Sequence, residues 1–302
     1  MAIVLSNGKF GIVEQSKNSA EILIPFEYDS INEYDFPHYI LKKDNKFGIV
    51  DITYKKTIIP CEYEEINKAF QRSSDEVVGF AEWGYLYRSF VVIYRVKKDG
   101  KYGFIDRTGK EVTPCIYENA SDFEGFIAKV KKDGLWGCID EKGKEVVPCI
   151  YEYVNTDSVF VMVRKNNKFG YVDKEGKEVV PCVYEDIEKF RGYYRHHGFC
   201  TERYFAPVKK DGKWGFVNIK GEETIPCIYT EVRDFNEGFA RVKKDEKWGY
   251  VDETGKEYFG KAAEQIHKFI EEVFRVAFTK EIKMKKKLNK KLGKSKDEQE
   301  NA

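Results

Sequence analysis

The residues best suited to chemistry are few, and three of them lie in one short segment. The chain has only four histidines, and two of these, His196 and His197, shortly precede Cys200. A thiol beside an imidazole could act as a nucleophile with its base, or the group could supply metal ligands. Adjacent strand residues point to opposite faces, however, and the sequence indicates no acidic orienter or third ligand. The segment therefore favours neither catalysis nor a metal, and no cofactor is expected.

A second candidate, Gly293-Lys294-Ser295, ends like a phosphate-binding loop. Such a loop needs a further glycine five positions earlier, where Leu288 stands, and a strand before it. The chain also has no G-x-S-x-G, H-E-x-x-H or G-x-G-x-x-G motif. We therefore expect a protein that is not an enzyme, with a hydrolase whose site lies in the insertions described below as the weaker alternative.

The seven cysteines do not pair at the short spacings of a zinc site or a disulfide framework. Five of them follow a proline at one recurring position, which predicts reduced, half-buried thiols: Cys61, Cys115, Cys149, Cys182 and Cys227. The start of the chain shows no leader, and no apolar run approaches a membrane span. We therefore expect a cytoplasmic protein without a transmembrane segment. The 52 basic and 51 acidic residues nearly cancel, so overall charge gives no argument for nucleic acid.

The recurring cysteines belong to a repeated unit, whose clearest mark is an aromatic residue followed by glycine. Several neighbouring pairs lie 33 or 34 residues apart, as Gly103 and Gly137 do. A dipeptide that tolerates positive φ precedes each pair, and the flanks carry β-branched and aromatic residues as strands do. The seven pairs are Phe10-Gly11, Phe47-Gly48, Tyr102-Gly103, Trp136-Gly137, Phe169-Gly170, Trp214-Gly215 and Trp248-Gly249.

After each pair the pattern predicts a second turn and a third strand. In most units Asp or Asn opens that turn and Gly follows three residues later, as in Asp140 and Gly143. The third strand should end at proline, which cannot donate to a ladder. Each unit is thus a predicted three-stranded antiparallel meander, and its neighbours should cover its apolar face. We expect the aromatic rings to lie across neighbouring glycines as a buried ladder.

This pattern resembles the WG-repeat family, also written KWG repeat, found largely in bacterial proteins. The aromatic-glycine pair, the Asp/Gly turn and the Pro-Cys-Ile-Tyr-Glu segment carry the resemblance from Ile3 to Phe259. The first two units depart from it, because Pro25-Phe26 replaces Pro-Cys and Tyr54 stands where the turn glycine should be. The last unit lacks its proline. The resemblance implies a binding or scaffolding module and brings no catalytic residues.

The chain is predicted to have three parts: an all-β repeat array over residues 1–260, an amphipathic capping helix over 261–282, and a basic, disordered tail over 283–302. Apolar residues from Ile266 to Ala277 recur at helical spacing. A helix placed there would cover the exposed face of the last unit, which favours an open, twisted superhelix or solenoid of tandem meanders. A seven-bladed β-propeller is the alternative.

Two insertions, over 71–95 and 191–206, interrupt the period at the same point of the unit. They are rich in Tyr, Trp and Arg, which dominate binding hot spots. We hypothesise that they frame a groove for a protein partner; the alternative is longer hairpins that pack on the flank of the array. The candidate contact residues are Trp83, Tyr85, Tyr87, Arg88, Tyr193, Tyr194, Arg195, His196, His197 and Tyr204.

The lysines lead to two hypotheses. Those of the tail suggest a second kind of binding partner, and those of the repeats suggest a structural role. The tail is basic between 284 and 296 and has no acid there, so nucleic acid or an anionic surface is the alternative partner. The tail residues concerned are Lys285, Lys286, Lys287, Lys290, Lys291 and Lys294. The recurring lysines of the units should instead form salt bridges on a solvated face, with Lys98, Lys132, Lys210 and Lys244 opposite glutamates such as Glu111, Glu145 and Glu257.

Overall fold

Most of the described chain is β-strand. The computed structural model describes residues 1–16, 19–35, 37–80, 86–156, 159–195, 198–273 and 275. For residues 35, 70–80, 86–90, 192–195 and 198–203 it describes the main chain alone. Consecutive strands pair antiparallel in seven sheets, one for each repeat, and we number sheets and repeats 1 to 7 in chain order.

The first four sheets are built from fifteen strands. Sheet 1 contains β1 (Ala2–Ser6), β2 (Lys9–Gln15) and β3 (Ala20–Tyr28). Sheet 2 contains β4 (Ser30–Asp35), β5 (His38–Lys43), β6 (Lys46–Asp51) and β7 (Lys56–Tyr63). Sheet 3 contains β8 (Glu65–Phe80), β9 (Leu86–Lys98), β10 (Lys101–Asp106) and β11 (Glu111–Tyr117). Sheet 4 contains β12 (Asn119–Glu124), β13 (Ile127–Lys132), β14 (Leu135–Asp140) and β15 (Glu145–Tyr151).

The remaining three sheets follow the same plan. Sheet 5 contains β16 (Tyr153–Asn155), β17 (Val161–Lys165), β18 (Lys168–Val172) and β19 (Glu178–Tyr184). Sheet 6 contains β20 (Asp186–Ile187), β21 (Arg191–Arg195), β22 (Gly198–Lys210), β23 (Lys213–Asn218) and β24 (Glu223–Tyr229), with β21 paired only to β22. Sheet 7 contains β25 (Glu231–Asn236), β26 (Phe239–Lys244), β27 (Lys247–Asp252) and β28 (Glu257–Tyr258).

The chain divides into two compact units. The first comprises Met1–Lys165 with Val172–Lys177, and the second comprises Asn166–Tyr171 with the described part of Glu178–Ala302. Sheets 1 to 4 belong to the first unit, sheets 6 and 7 to the second, and sheet 5 contributes residues to both. Within the described residues, no helix has the length and apolar character needed to cross a membrane.

The predicted all-β repeat fold is confirmed, and the meander of three strands occurs in every sheet. Six of the seven sheets add a fourth strand that precedes the meander, such as β12, which directly follows the Tyr117-Glu118 segment. Each sheet has two free edges, so none closes into a barrel within the described residues.

The hairpin turns before the aromatic-glycine pairs have the predicted conformation. In repeat 4, Asp133 and Gly134 have φ of 52° and 78°, and in repeat 7 even Glu246 reaches 60°. A two-residue hairpin whose central residues both have positive φ matches the right-handed twist of the flanking strands. The local sequence therefore sets the register between the two strands that flank this turn in each sheet.

The second turn is also confirmed. The Oδ1 atom of Asp140 accepts hydrogen bonds from the backbone N–H groups of Lys142 and Lys144, both at 2.9 Å. Gly143 closes the turn with φ of 79°. A Cβ atom at Gly143 would lie only 2.3 Å from the carbonyl oxygen of Val112 in the preceding sheet. Glycine is therefore needed here for both its backbone conformation and its contact with the neighbouring repeat.

The prediction that proline ends the third strand is wrong. Strand β15 runs through Pro148 to Tyr151, with register shifts that mark a bulge between the partners of Trp136 and Cys138. Because β15 is the edge strand of sheet 4, the missing N–H of proline costs no ladder hydrogen bond. The bulge lies against Gly137, where a Cβ atom would be 2.4 Å from the carbonyl oxygen of Val147.

The predicted buried ladder of aromatic rings is also wrong. All seven rings are half-buried, and the atoms nearest the Cβ position of the glycine beside each ring belong to or directly follow the last strand of its own sheet. A basic side chain covers the outer face of several rings; the Lys131 ammonium lies 5.9 Å from the centre of the Trp136 ring. The amphipathic stem of lysine can shield such a ring while its charge stays in water.

Neighbouring sheets bury their apolar faces against each other, as predicted. Between sheets 3 and 4, Phe104 and Tyr117 pack with Ala128, Val130 and Ile139. The helix over residues 261–273 covers sheet 7, because Ala263 and Ile270 are buried against Tyr250. The outer parts of the predicted helical stripe, Phe274 and Ala277, lie outside the described residues.

Candidate functional site

The first insertion is a continuation of two strands of sheet 3. Strand β9 pairs with β10 only from Ile93 to Lys98. Farther out, from the pair Ser73 and Phe90 to the pair Phe80 and Leu86, β8 and β9 pair only with each other. Here the eight residues from Ser73 to Phe80 pair with β9 and form one strand of a two-stranded ribbon. At the usual rise of a strand, this ribbon is roughly 25 Å long. We call residues 73–90 the first ribbon.

The second insertion has the same construction. Strands β21 and β22 pair with each other from Gly192 to Arg195, whereas β22 pairs with β23 only from Phe205 onward. We call residues 192–204 the second ribbon. The described strands of both insertions thus extend strands of their own sheets, and the packing on the flank of the array that the alternative interpretation includes stays a prediction.

An arginine ties the base of each ribbon to the first strand of the next sheet. The Arg95 guanidinium lies 2.8 Å from the carboxylate of Asp122 and donates to the carbonyl oxygen of Ala120 at 3.2 Å. The Arg191 guanidinium lies 3.1 Å from the carboxylate of Asp234. An ion pair to the next sheet therefore holds the base of each ribbon in place.

The predicted contact residues fall unevenly on this framework. Tyr204 is half-buried and pairs with Gly192 at the base of the second ribbon. Five others lie on ribbon strands whose main chain alone is described: Tyr87, Arg88, Tyr193, Tyr194 and Arg195. Trp83, Tyr85, His196 and His197, and the tail residues Lys285, Lys286, Lys287, Lys290, Lys291 and Lys294, lie outside the described residues. The groove between the insertions stays a prediction.

A carboxylate after the recurring tyrosine joins consecutive repeats. Glu185 of repeat 5 lies 3.6 Å from the Lys168 ammonium and accepts a hydrogen bond of 3.0 Å from the backbone N–H of Gly212 in repeat 6. The hydrogen bond from Gly212 and the charge of Lys168 hold the pKa of Glu185 below its ordinary value. Asp29 makes the same pair of contacts between repeats 1 and 2, with Lys9 and the backbone N–H of Asp44.

The recurring tyrosine makes a second contact between repeats. The hydroxyl of Tyr229 donates to the carboxylate of Glu257 in the next repeat at 2.7 Å, and Lys244 lies 2.9 Å from the same carboxylate. The predicted pairing of Lys244 with Glu257 is thereby confirmed. Lys98 differs, because its ammonium lies 2.8 Å from Glu62 in the preceding sheet and not opposite Glu111. These charged side chains form ion pairs at the protein surface and between repeats.

The Pro-Cys thiols are half-buried, as predicted, and they are poorly suited to nucleophilic chemistry. Burial raises the pKa of the Cys149 and Cys227 thiols to about 11. The stray Cys138 is fully buried, and burial raises its pKa to about 12. A thiol must be a thiolate to attack or to bind a metal. Within the described residues, no group of three His, Cys, Asp or Glu side chains is placed to hold a metal ion.

Sequence reasoning missed a cavity of about 380 Å³ between sheets 2 and 3. Its lining residues are His38, Asp51, Tyr54, Lys56, Ile58, Arg107 and Thr108. One signal could have pointed to it, because His38 pairs with Asp51 at the register where repeats 3 and 4 have Ile93 and Ile127. The histidine breaks a pattern that the other repeats keep.

The fold and the contacts between successive sheets define a β-repeat protein. Residues 102–136, 136–169, 169–195 and 214–248 match the family described as the WG containing repeat. These segments of the chain therefore carry the WG containing repeat, and each begins on the aromatic residue of an aromatic-glycine pair. No curated protein matches the chain.

Solved structures show a weak likeness to the chain. Hsv2 of Kluyveromyces lactis is 10% identical over 74% of this chain and 75% of its own, with a TM-score of 0.28. A structure described as the eukaryotic initiation factor is 10% identical over 85% and 82%, with a TM-score of 0.31. PorZ of Porphyromonas gingivalis, described as a surface component of the type-IX secretion system, is 7% identical over 77% and 40%, with a TM-score of 0.21. At such scores these likenesses carry no argument.

Proposed function

We propose that this protein is a non-enzymatic binding scaffold that presents its repeat surface and its aromatic-rich ribbons to a protein partner. The repeats supply a framework in which each sheet supports the next through buried faces and ion pairs. The cytoplasm of a bacterium is the proposed setting, on the sequence arguments given above.

The observation that carries this proposal is the first ribbon. Its two strands pair only with each other among the described residues, and a two-stranded ribbon alone is marginally stable in water. Its sequence contains Phe80, Trp83, Tyr85, Tyr87 and Phe90. Aromatic residues dominate binding hot spots, and a partner that covers the ribbon would bury these side chains in the interface.

The test removes the first ribbon and leaves its base intact. Replacing residues 73–90 by Asn-Gly joins Arg72 to Val91, which face each other in the register, through a turn that suits a hairpin. Circular dichroism and thermal melting should show an unchanged fold. Affinity capture followed by quantitative mass spectrometry should show that proteins retained by the wild type are lost. The double variant Trp83→Ala with Tyr193→Ala should lose the same proteins.

A matched control is Phe126→Ala, which removes an aromatic side chain that is 58% exposed but lies outside both ribbons. This variant should retain the partners. The proposal fails if the ribbon deletion and the double variant, both folded, capture the same proteins in the same amounts as the wild type.

The tail supports a second candidate, because residues 284–296 are basic and contain no acid. A tail that binds nucleic acid should give an affinity that falls steeply with salt, as phosphate contacts do. Truncation after Phe278 should abolish binding to a labelled RNA or DNA oligonucleotide and leave the protein partners of the ribbons in place. Unchanged oligonucleotide affinity after truncation would refute a role for the tail.

A further inference from the structure

Departures from the repeat pattern meet at the cavity between sheets 2 and 3. His38 stands where other repeats have an apolar residue, and it faces Asp51 across the two strands. The segment from Asp51 to Pro60 is one residue longer than the equivalent segment from Asp140 to Pro148. The extra length places Lys55 in the left-handed region, with φ of 51°. Departures that converge on one cavity indicate a local function, because packing alone is served by the common pattern.

The floor of the cavity is polar and buried. The side chain of His38 is 9% exposed and that of Asp51 is 8% exposed, and His38 Nε2 lies 3.6 Å from Asp51 Oδ2. Asp51 Oδ1 accepts a hydrogen bond of 2.8 Å from the backbone N–H of Thr53, which fixes the carboxylate. His38 takes the place of isoleucine beside the turn aspartate of the repeat. Burying the imidazole there costs desolvation free energy, and this cost needs a reason.

The mouth of the cavity carries two cations. Lys56 and Arg107 are exposed, and neither forms an ion pair with any residue that the structure describes. Lys98 at a repeat junction, by contrast, has Glu62 at 2.8 Å. Thr57 stands three residues before the proline of its repeat, where repeat 4 has Glu145, so the recurring carboxylate is missing here. The two positive charges are left for a ligand.

The chemistry of the lining selects the class of ligand. An arginine fork binds two oxygens of an oxyanion, and a lysine adds a point charge. Two mouth cations match a dianion, whereas a monocarboxylate would leave one of them unpaired. Ile58 and the ring of Tyr54, which is 78% exposed, can contact an organic group. A cavity of about 380 Å³ has the size of a small-molecule site. We infer that this cavity binds a small organic phosphate monoester.

Titration calorimetry with phenyl phosphate as the probe tests this site. The wild type should bind one equivalent saturably, and Arg107→Ala and Lys56→Ala should each weaken binding by about tenfold, the loss of one charged contact. His38→Ile, which installs the residue that Ile93 provides in repeat 3, should also weaken binding because it removes the imidazole from the floor of the cavity. The two mouth residues are exposed, so their variants test the site even if His38→Ile does not fold.

Lys174→Ala is the matched control, because Lys174 follows Asp173 in repeat 5 as Arg107 follows Asp106 in repeat 3. It should bind phenyl phosphate as the wild type does. Saturable binding that survives the double variant Lys56→Ala with Arg107→Ala, or no saturable binding at all, would overturn the site. Equal affinity for benzoate and phenyl phosphate would overturn the phosphate class. Because the ribbons are untouched, these results do not depend on the proposed scaffold function.

Discussion

Gly137 shows why glycine follows the aromatic residue in each repeat. The bulge that contains Pro148 and Cys149 lies so close that a Cβ atom at Gly137 would meet the Val147 carbonyl oxygen at 2.4 Å and the Cys149 nitrogen at 2.8 Å. Both atoms belong to the backbone, so they cannot rotate away. We expect Gly137→Ala to lower the free energy of unfolding by roughly 2 to 3 kcal/mol, as overpacking does, measured by urea denaturation.

Gly134→Ala is the control for this prediction. Gly134 also has a special conformation, with φ of 78°, but nothing lies within 4 Å of the Cβ position. In Gly134→Ala only the left-handed backbone conformation is strained, which should lower the free energy of unfolding by roughly 1 kcal/mol. Equal losses for the two variants would show that backbone conformation, and not the close approach of the bulge, explains the glycine of the aromatic-glycine pair.

The turn that begins at Asp140 depends on one carboxylate oxygen. Its Oδ1 atom satisfies two backbone N–H groups, at 2.9 Å each. Removal of this acceptor in Asp140→Ala leaves both donors to water and frees the turn. We expect the free energy of unfolding to fall by about 1 kcal/mol, the usual cost of losing a capping side chain, and urea denaturation measures it.

The chain supplies its own control for this turn. Asn218 occupies the same position in repeat 6, and its Oδ1 accepts from Lys220 and Glu222 at 2.9 and 3.0 Å. Asp140→Asn should therefore keep most of the stability that Asp140→Ala loses. A loss as large in Asp140→Asn would mean that charge, and not the acceptor geometry, holds the turn.

Turns were predictable from the sequence because their chemistry is local. Asp133-Gly134 and Asp140 with Gly143 fix conformation through φ and through hydrogen bonds to residues two and four positions later. The course of the third strand was not predictable in the same way. Proline stops a strand inside a sheet but not at its edge, and the position of β15 at an edge follows from the order of four strands.

The candidate sites were predictable only in part, for a similar reason. The composition of the insertions drew attention to residues 71–95 and 191–206, and the structure extends β8, β9, β21 and β22 into them. The cavity at His38 was missed because its lining comes from two sheets that are distant in sequence, with Arg107 more than fifty residues beyond Asp51. In the sequence, only the comparison of His38 with the equivalent residues of other repeats indicates this cavity.

The whole molecule repeats one junction, and each junction carries groups that are protonated at neutral pH. Burial raises the pKa of Tyr28 to about 12, and it raises the pKa of the Cys149 and Cys227 thiols to about 11. The ordinary values are 10.0 for the phenol and 9.0 for the thiols. Because such groups recur along the array, their contributions to stability share one pH range.

We therefore predict that stability falls above pH 9. A group whose pKa is raised by folding holds its proton longer in the folded state, so the unfolded state binds fewer protons as pH rises past 9. The contribution is complete below pH 9 and is lost progressively as pH rises through about 11 to 12, the folded values of Cys149, Cys227, Cys138 and Tyr28. Urea midpoints should be constant from pH 7 to about 8.5 and should decline from pH 9 to 11.

The double variant Cys149→Ala with Cys227→Ala separates the thiols from the phenols. It should show a shallower decline from pH 9 to about 11, the interval between the unfolded and folded pKa values of these two thiols. The decline due to the phenols, which begins near pH 10 where unfolded tyrosines ionise, should remain. A wild-type midpoint that stays constant to pH 10.5 would contradict the prediction. It would mean that water reaches these groups at the interfaces of the folded protein, so that they titrate as they do in the unfolded chain.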